Sequence, residues 1–203
     1  RRQRQMCIRD RYRELWGDIP IVLCSEEKFI GPKDTYIYKQ PVTQAERVPI
    51  SQLADPYNLV LLYSNLYLRE NIQLISHIIP DMKKFIFIGD EREVNQTNNQ
   101  EIQTKLKTIN PNIEYQYITP QKMTTNQLLD SLYHVDPNTT GILFASWFYK
   151  TTFAGNTSLV TNAHKLIVTT TAPIFTLNMA DITEENGGMI GGCLLYTSPS
   201  PRD

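Results

Sequence analysis

The chain has few of the residues from which catalytic and metal centres are most often built. It has three cysteines, Cys7, Cys24 and Cys193, and three histidines, His77, His134 and His164. It holds no paired C-x-x-C, no H-E-x-x-H, no G-x-x-x-x-G-K phosphate loop, no G-x-G-x-x-G and no G-x-S-x-G. The histidines lie far apart in segments that read as helices: His77 beside an apolar face as a packing residue, His134 and His164 on helix surfaces or ends, where the dipole favours a cation. Basic excess is missing too. With 20 Lys+Arg against 21 Asp+Glu the formal charge is −1, with no basic stripe, which makes a poor binder of nucleic acid or of an anionic membrane. No apolar run reaches the roughly 20 residues of a membrane span. The residues therefore name no enzyme, no cofactor and no metal.

The two ends differ from the rest. The chain opens "RRQRQMCIRDR" and closes "CLLYTSPSPRD". Read as the codons ATG TGT ATA AGA GAC flanked by AG on each side, "MCIRD" has a reverse complement, one frame of which runs TGT CTC TTA TAC ACA TCT, or CLLYTS. The tails are thus opposite strands of one DNA segment and resemble a translated transposase sequencing adapter. Residues 1–11 and 193–203 are set aside on that ground. The cations Arg1, Arg2, Arg4, Arg9, Arg11 and Arg202 and the acids Asp10 and Asp203 go with them, leaving 14 against 19, or −5. Cys24 remains as the one cysteine of the body, so no intrachain disulfide is expected. It lies in "IPIVLC", where a buried strand would use it as a small hydrophobe. The body is expected to be an internal piece of a longer protein.

Between the tails, strand-like and helix-like segments alternate. "IPIVLCS" (Ile19 to Ser25) is a short continuous apolar run, the mark of a strand covered on both faces. A long stretch with Pro32, Pro41, Pro49 and Pro56 follows, too rich in proline for a regular element. "LRENIQLISHIIP" places Ile72, Ile75 and Ile79 on one helical face before Pro80. "KKFIFIGD" then reads as a strand, "NQEIQTKLKTI" as a helix, "IEYQYIT" as a strand, and "TTNQLLDSLYHV" as a helix with a threonine cap. "TGILFAS" is the next strand, "NTSLVTNAHKLIVTT" the next helix and "APIFTLN" a further strand. This alternation predicts an α/β fold with a parallel sheet.

Ligands of open parallel sheets gather outside the carboxyl ends of the strands. The residues there are Ser25, then Gly89-Asp90-Glu91, then Ser146-Trp147-Phe148-Tyr149, then Asn178-Met179. Polar groups beside exposed aromatics have the composition of a small-molecule cleft. Packing of Trp147 and Phe148 beneath their own loop is the alternative. In "GDERE", Asp90 is the better candidate because it follows a strand directly, while Glu91 and Glu93 read as a solvated loop. The N-x-S/T triplets at Asn95, Asn138 and Asn156 recur too readily by chance to assign anything.

At "IPIVLC", "NIQLISHIIPDMKKFIFIGD" and "APIFTLN…GGMIGG" the chain resembles the ABC-transporter substrate-binding-protein-like family, which has a type I periplasmic-binding fold. "DPNTTGILFASWFYKTTFAGN" with "NGGMIGG" is similar to the extracytoplasmic sensor regions of hybrid two-component histidine kinases, which use this fold as an input module. The resemblance covers most of Ile19 to Gly192. It implies two lobes with parallel sheets flanked by helices, ligand held between them and closure as the signal. Residues 12–66 would then be the end of lobe 1 with a proline-rich insert, residues 67–180 lobe 2, and residues 181–192 a crossing back, with the N-terminal part of lobe 1 missing. The insert after Ser25 departs from the transporter pattern and favours the sensor branch over a free solute-binding protein. In that picture Trp147 and Tyr149 supply aromatic walls, while Ser25, Asp90, Ser146 and Asn178 orient polar groups of an unknown small molecule or periplasmic partner. The resemblance further implies an extracytoplasmic location and a membrane-anchored, dimeric parent, with any kinase chemistry beyond Gly192. No catalytic residue, cofactor, metal or nucleic-acid partner is expected for this part.

Overall fold

The computed structural model describes residues 19–25, 28–30, 47–53, 58–63, 66–151, 155–158, 170–177 and 189–191. The chain divides into two units between Leu66 and Tyr67.

In the first unit, β1 (Ile21–Ser25) pairs in parallel with β4 (Leu59–Tyr63), Ile21 opposite Leu59 and Ser25 opposite Tyr63. Between them β2 (Phe29–Ile30) and β3 (Val48–Pro49) form a short antiparallel ladder, followed by a 3-10 turn at Ile50–Leu53. Ile50 is fully buried. The expectation that β1 is covered on both faces is not met: Val22, Val60 and Leu62 are exposed, and so is Cys24. Among the described residues β1 has one parallel neighbour, and a two-stranded sheet offers no second layer to shield that face.

The second unit is built on a five-stranded parallel sheet. Its strands are β5 (Lys84–Ile88), β6 (Glu114–Ile118), β7 (Thr140–Phe144), β10 (Ile174–Thr176) and β11 (Met189–Gly191), in the spatial order β11-β10-β7-β5-β6. Counted along the chain this is 2-1-3-4-5, a doubly wound order. The segment "GGMIGG", expected to cross back to a first lobe, contributes β11, which pairs with β10.

Among the described residues three helices flank this sheet: α1 (Leu68–Ile78), α2 (Glu93–Ile109) and α3 (Thr125–Tyr133). Strand side chains alternate between faces. Ile86, Ile88, Ile118, Ile142, Phe144 and Ile174 point to one side and pack with Leu128 and Leu132 of α3 and with Trp147. On the other side Phe85 stacks on Tyr115 and Phe87 on Tyr117. Ile72, Ile75 and Ile79 are buried on the expected face of α1, while His77, expected to pack, is exposed. Gly141 is where this layer comes closest: a Cβ there would sit 2.6 Å from Ile75 Cγ2 and 2.6 Å from Met82 Sδ.

Two element boundaries differ from expectation. Helix α2 begins at Glu93, six residues before "NQEIQTKLKTI", so Glu93 is helical rather than part of a loop. Asn156 to Ser158, expected to open a helix, lie in β9 (Gly155–Ser158), paired antiparallel with β8 (Phe148–Thr151). The rest of that expected helix, including His164, lies outside the described residues. His134 caps the C-terminus of α3 with its Nδ1 2.7 Å from the Asp130 carbonyl.

Candidate functional site

The sheet reverses its winding at β5. From β5 the chain passes through α2 to β6 on one side, then through α3 to β7 on the other. With both crossovers right-handed, their helices fall on opposite faces and leave a crevice at the carboxyl ends of β5 and β7. Asp90 and Ser146 stand at this point, each two residues past its strand.

The two side chains meet. Ser146 Oγ donates to Asp90 Oδ2 at 2.7 Å. Asp90 is 2% exposed, and a carboxylate so buried needs its lone pairs occupied. The Arg92 backbone N–H donates to Oδ1 at 2.9 Å, and Arg92 Nε bridges Oδ1 at 2.9 Å and Oδ2 at 3.0 Å. With Ser146 this fills the roughly four acceptor positions of a carboxylate. Asn95, in the first turn of α2, donates its Nδ2 to Ser146 Oγ at 2.7 Å. Asp90, Arg92, Asn95 and Ser146 thus form one chain of hydrogen bonds tying β5, β7 and α2 together. Arg92 reaches solvent, with its side chain 46% exposed.

The neighbouring strand closes the other side. Tyr117 donates its hydroxyl to the Asp90 carbonyl at 2.6 Å. Burial, with the charges of Glu91 and Asp90, pushes this phenol well above its ordinary range. Lys122 Nζ sits 5.6 Å above the Tyr117 ring. Gly89 lets these parts approach: a Cβ there would stand 3.1 Å from Tyr117 Cε2 and 3.3 Å from Asn95 Cβ. Comparison of the chain with protein-family models, curated proteins and solved structures finds no match in any of the three.

Of the six residues singled out from sequence, the structure joins Asp90 and Ser146. Ser25 lies in the first unit, buried at the end of β1. Trp147, expected as an exposed wall, is 0% exposed; it packs into the α3-side core and donates its indole N–H to Thr125 Oγ1 at 3.0 Å. The physical reason is position. The Trp147 indole is tied to Thr125 in the first turn of α3, which draws the large ring into the buried cluster on that side of the sheet. Tyr149 falls in the backbone of β8, and its side chain lies outside what is described, as does Asn178.

Arg92 and Asn95 were not singled out from sequence. The signal for Arg92 was its place two residues after a strand-end aspartate. Asn95 carried none, because only the true start of α2 brings it over β7.

Chemically, the cluster is an ion pair and two neutral hydrogen-bonding groups. Ser146 donates a hydrogen bond to a carboxylate rather than to an imidazole. Among those residues no group of histidine, cysteine and carboxylate side chains is arranged to hold a metal ion. What the arrangement can do is present a fixed guanidinium and a hydrogen-bonded hydroxyl at a strand-end crevice.

Proposed function

We propose that the chain is part of an extracytoplasmic ligand-sensing input module of a two-component sensor histidine kinase, with a type I periplasmic-binding-protein-like fold. One observation carries the reading. The second unit is doubly wound, and its polar cluster lies at the switch point, where sheets of this order take their ligands. Asp90, fully occupied by its partners, is the anchor that holds Arg92 and Ser146, and the half-exposed Arg92 is the group a ligand meets first. That favours a small molecule rich in acceptor oxygens, such as a sugar acid or a carboxylate. Closure of the lobes on such a ligand is the signal, since binding drives a change only where it favours one arrangement over another. Membrane anchoring and dimerisation of the parent belong to the same proposal.

Sequencing the parent gene outward in both directions tests this directly. The reading expects the frame to run on into a membrane-spanning helix and a histidine-kinase core. A stop codon soon after Gly192, behind a signal peptide and beside a permease gene, would instead make the protein the solute-binding component of a transporter.

A further inference from the structure

Strand β6 is an edge of the five-stranded sheet: among the described residues its one sheet neighbour is β5. The parallel ladder fixes which way its backbone groups face. The Glu114 N–H donates to the Lys83 carbonyl at 2.9 Å, and the Ile118 carbonyl accepts the Gly89 N–H at 3.1 Å. Alternate residues of a parallel strand turn both groups to the neighbour, so Glu114, Gln116 and Ile118 face β5. Tyr115 and Tyr117 therefore aim their N–H and C=O groups off the sheet. Tyr115, Gln116 and Tyr117 are half-buried rather than covered. Such an edge is a template for another strand, and proteins commonly blunt it with lysine, proline or a bulge. β6 carries none of these. Pro111 and Pro120 lie outside it, its register with β5 is unbroken, and its one charge, Glu114, is paired with Lys84 at 2.9 Å.

We infer that β6 pairs antiparallel with β6 of a second copy of this chain, about a two-fold axis at Gln116, joining two sheets into one. The strand is complementary to itself in that register. Tyr115 stands opposite the second copy's Tyr117, and Tyr117 opposite its Tyr115. Each such pair exchanges both N–H···O bonds, which uses every outward group. An axis at Tyr115 would set Tyr117 against Ile113, whose N–H already donates to Asn110. An axis at Tyr117 would set Tyr115 against Thr119, whose carbonyl already accepts from Lys122 and Met123. With the axis at Gln116, the stacks of Phe85 on Tyr115 and of Phe87 on Tyr117 continue across it as one aromatic row. On the opposite face Gln116 meets its own copy and Glu114 meets Ile118, so no like charges oppose each other. Helix α2 lies over β5 and β6, where Asn99 Oδ1 accepts the Tyr115 hydroxyl. Two strand spacings, about 10 Å, then separate the two α2 helices, an ordinary packing distance. Gln96 and Gln103 share the stripe of Asn99 at helical spacing, and none of the three is charged. The inference deepens the dimeric parent of the sensor reading and rests on that reading only for what the dimer serves.

Sedimentation velocity of the full chain over a range of concentrations should show a reversible monomer–dimer equilibrium. Gln116→Lys sets two ammonium groups against each other at the axis and should raise the dimer dissociation constant about tenfold or more, as should Gln116→Glu. Mixing the two variants should restore the dimer as a heterodimer. In the full chain carrying Cys7→Ser, Cys24→Ser and Cys193→Ser, Gln116→Cys should cross-link to its own copy on mild oxidation, because facing residues of a non-hydrogen-bonded pair stand about 4.5 Å apart at Cα. Glu114→Cys should not, since its two copies lie beyond the roughly 7 Å that a disulfide spans. A dimer indifferent to both charged variants, or a cross-link at Glu114→Cys as strong as at Gln116→Cys, would overturn the pairing. So would a monomer at every concentration, which leaves the edge to a strand of some other protein. If the charged variants fail to fold by circular dichroism, the two cysteine variants decide alone. A Gln116-centred dimer that binds no ligand would leave this inference standing and remove the sensor reading; a ligand-binding chain that stays monomeric would overturn the edge pairing alone.

Discussion

At the scale of single residues, the polar cluster and the core beside it differ in how much a truncation costs. Ser146→Ala removes a donor from the buried Asp90 and strands Asn95 Nδ2, and should lower stability by about 1–3 kcal/mol while the fold is kept. Urea titration measures this, and an unchanged midpoint would mean that water replaces the hydroxyl. Trp147→Ala should cost about 3–5 kcal/mol, as truncation of a fully buried aromatic does. A mild loss there would restore the ring to the role of a ligand wall that the sequence suggests for it. Sequence shows that Trp147 ends a strand segment, but not that Thr125, at the start of α3, stands within hydrogen-bond reach of its indole. Asp90 was legible because a carboxylate placed directly after an apolar strand has few structural uses. Its link to Ser146, and through Ser146 to Asn95, was not, since hydrogen bonds across 56 and 51 residues leave no local trace.

At the scale of elements, legibility follows the strength of the local pattern. The apolar face of α1, the run "KFIFI" and the Thr124 cap all appear where the sequence places them, the last as a full capping box with Gln127. Thr124→Ala should therefore cost about 1 kcal/mol, read as a shift of the unfolding midpoint. The start of α2, "EVNQTN", went unread because asparagine and threonine are weak helix formers and Asn95 and Asn98 are buried by tertiary contacts rather than by apolar periodicity. The β8–β9 hairpin hid behind a segment whose threonines and apolar residues suit either state. Gly141→Ala probes the α1 layer: the added methyl meets Ile75 and Met82 inside van der Waals distance and should cost about 1–3 kcal/mol by overpacking, seen in thermal unfolding.

At the scale of the whole molecule, the sheet's aromatic face sets an alkaline limit. Burial, and then its neighbour Tyr117, holds the Tyr115 phenol well above its ordinary value, and burial does the same first for Tyr117. The unfolded chain loses these protons from about pH 10 while the folded chain keeps them. Their contribution to stability is thus fully present below that pH and is lost as pH rises further, by the sign of the linkage relation. Urea midpoints between pH 9 and 11.5 should show the fall, and Tyr115→Phe should reduce its slope. The central claim concerns the switch point, and amide chemical-shift mapping of the ¹⁵N-labelled protein against sugars, sugar acids, amino acids and dicarboxylates tests it most directly. The account predicts a binder whose largest shifts fall on Asp90, Arg92, Asn95 and Ser146. A binder that saturates while those amides stay still, or a panel in which nothing moves them, would contradict it.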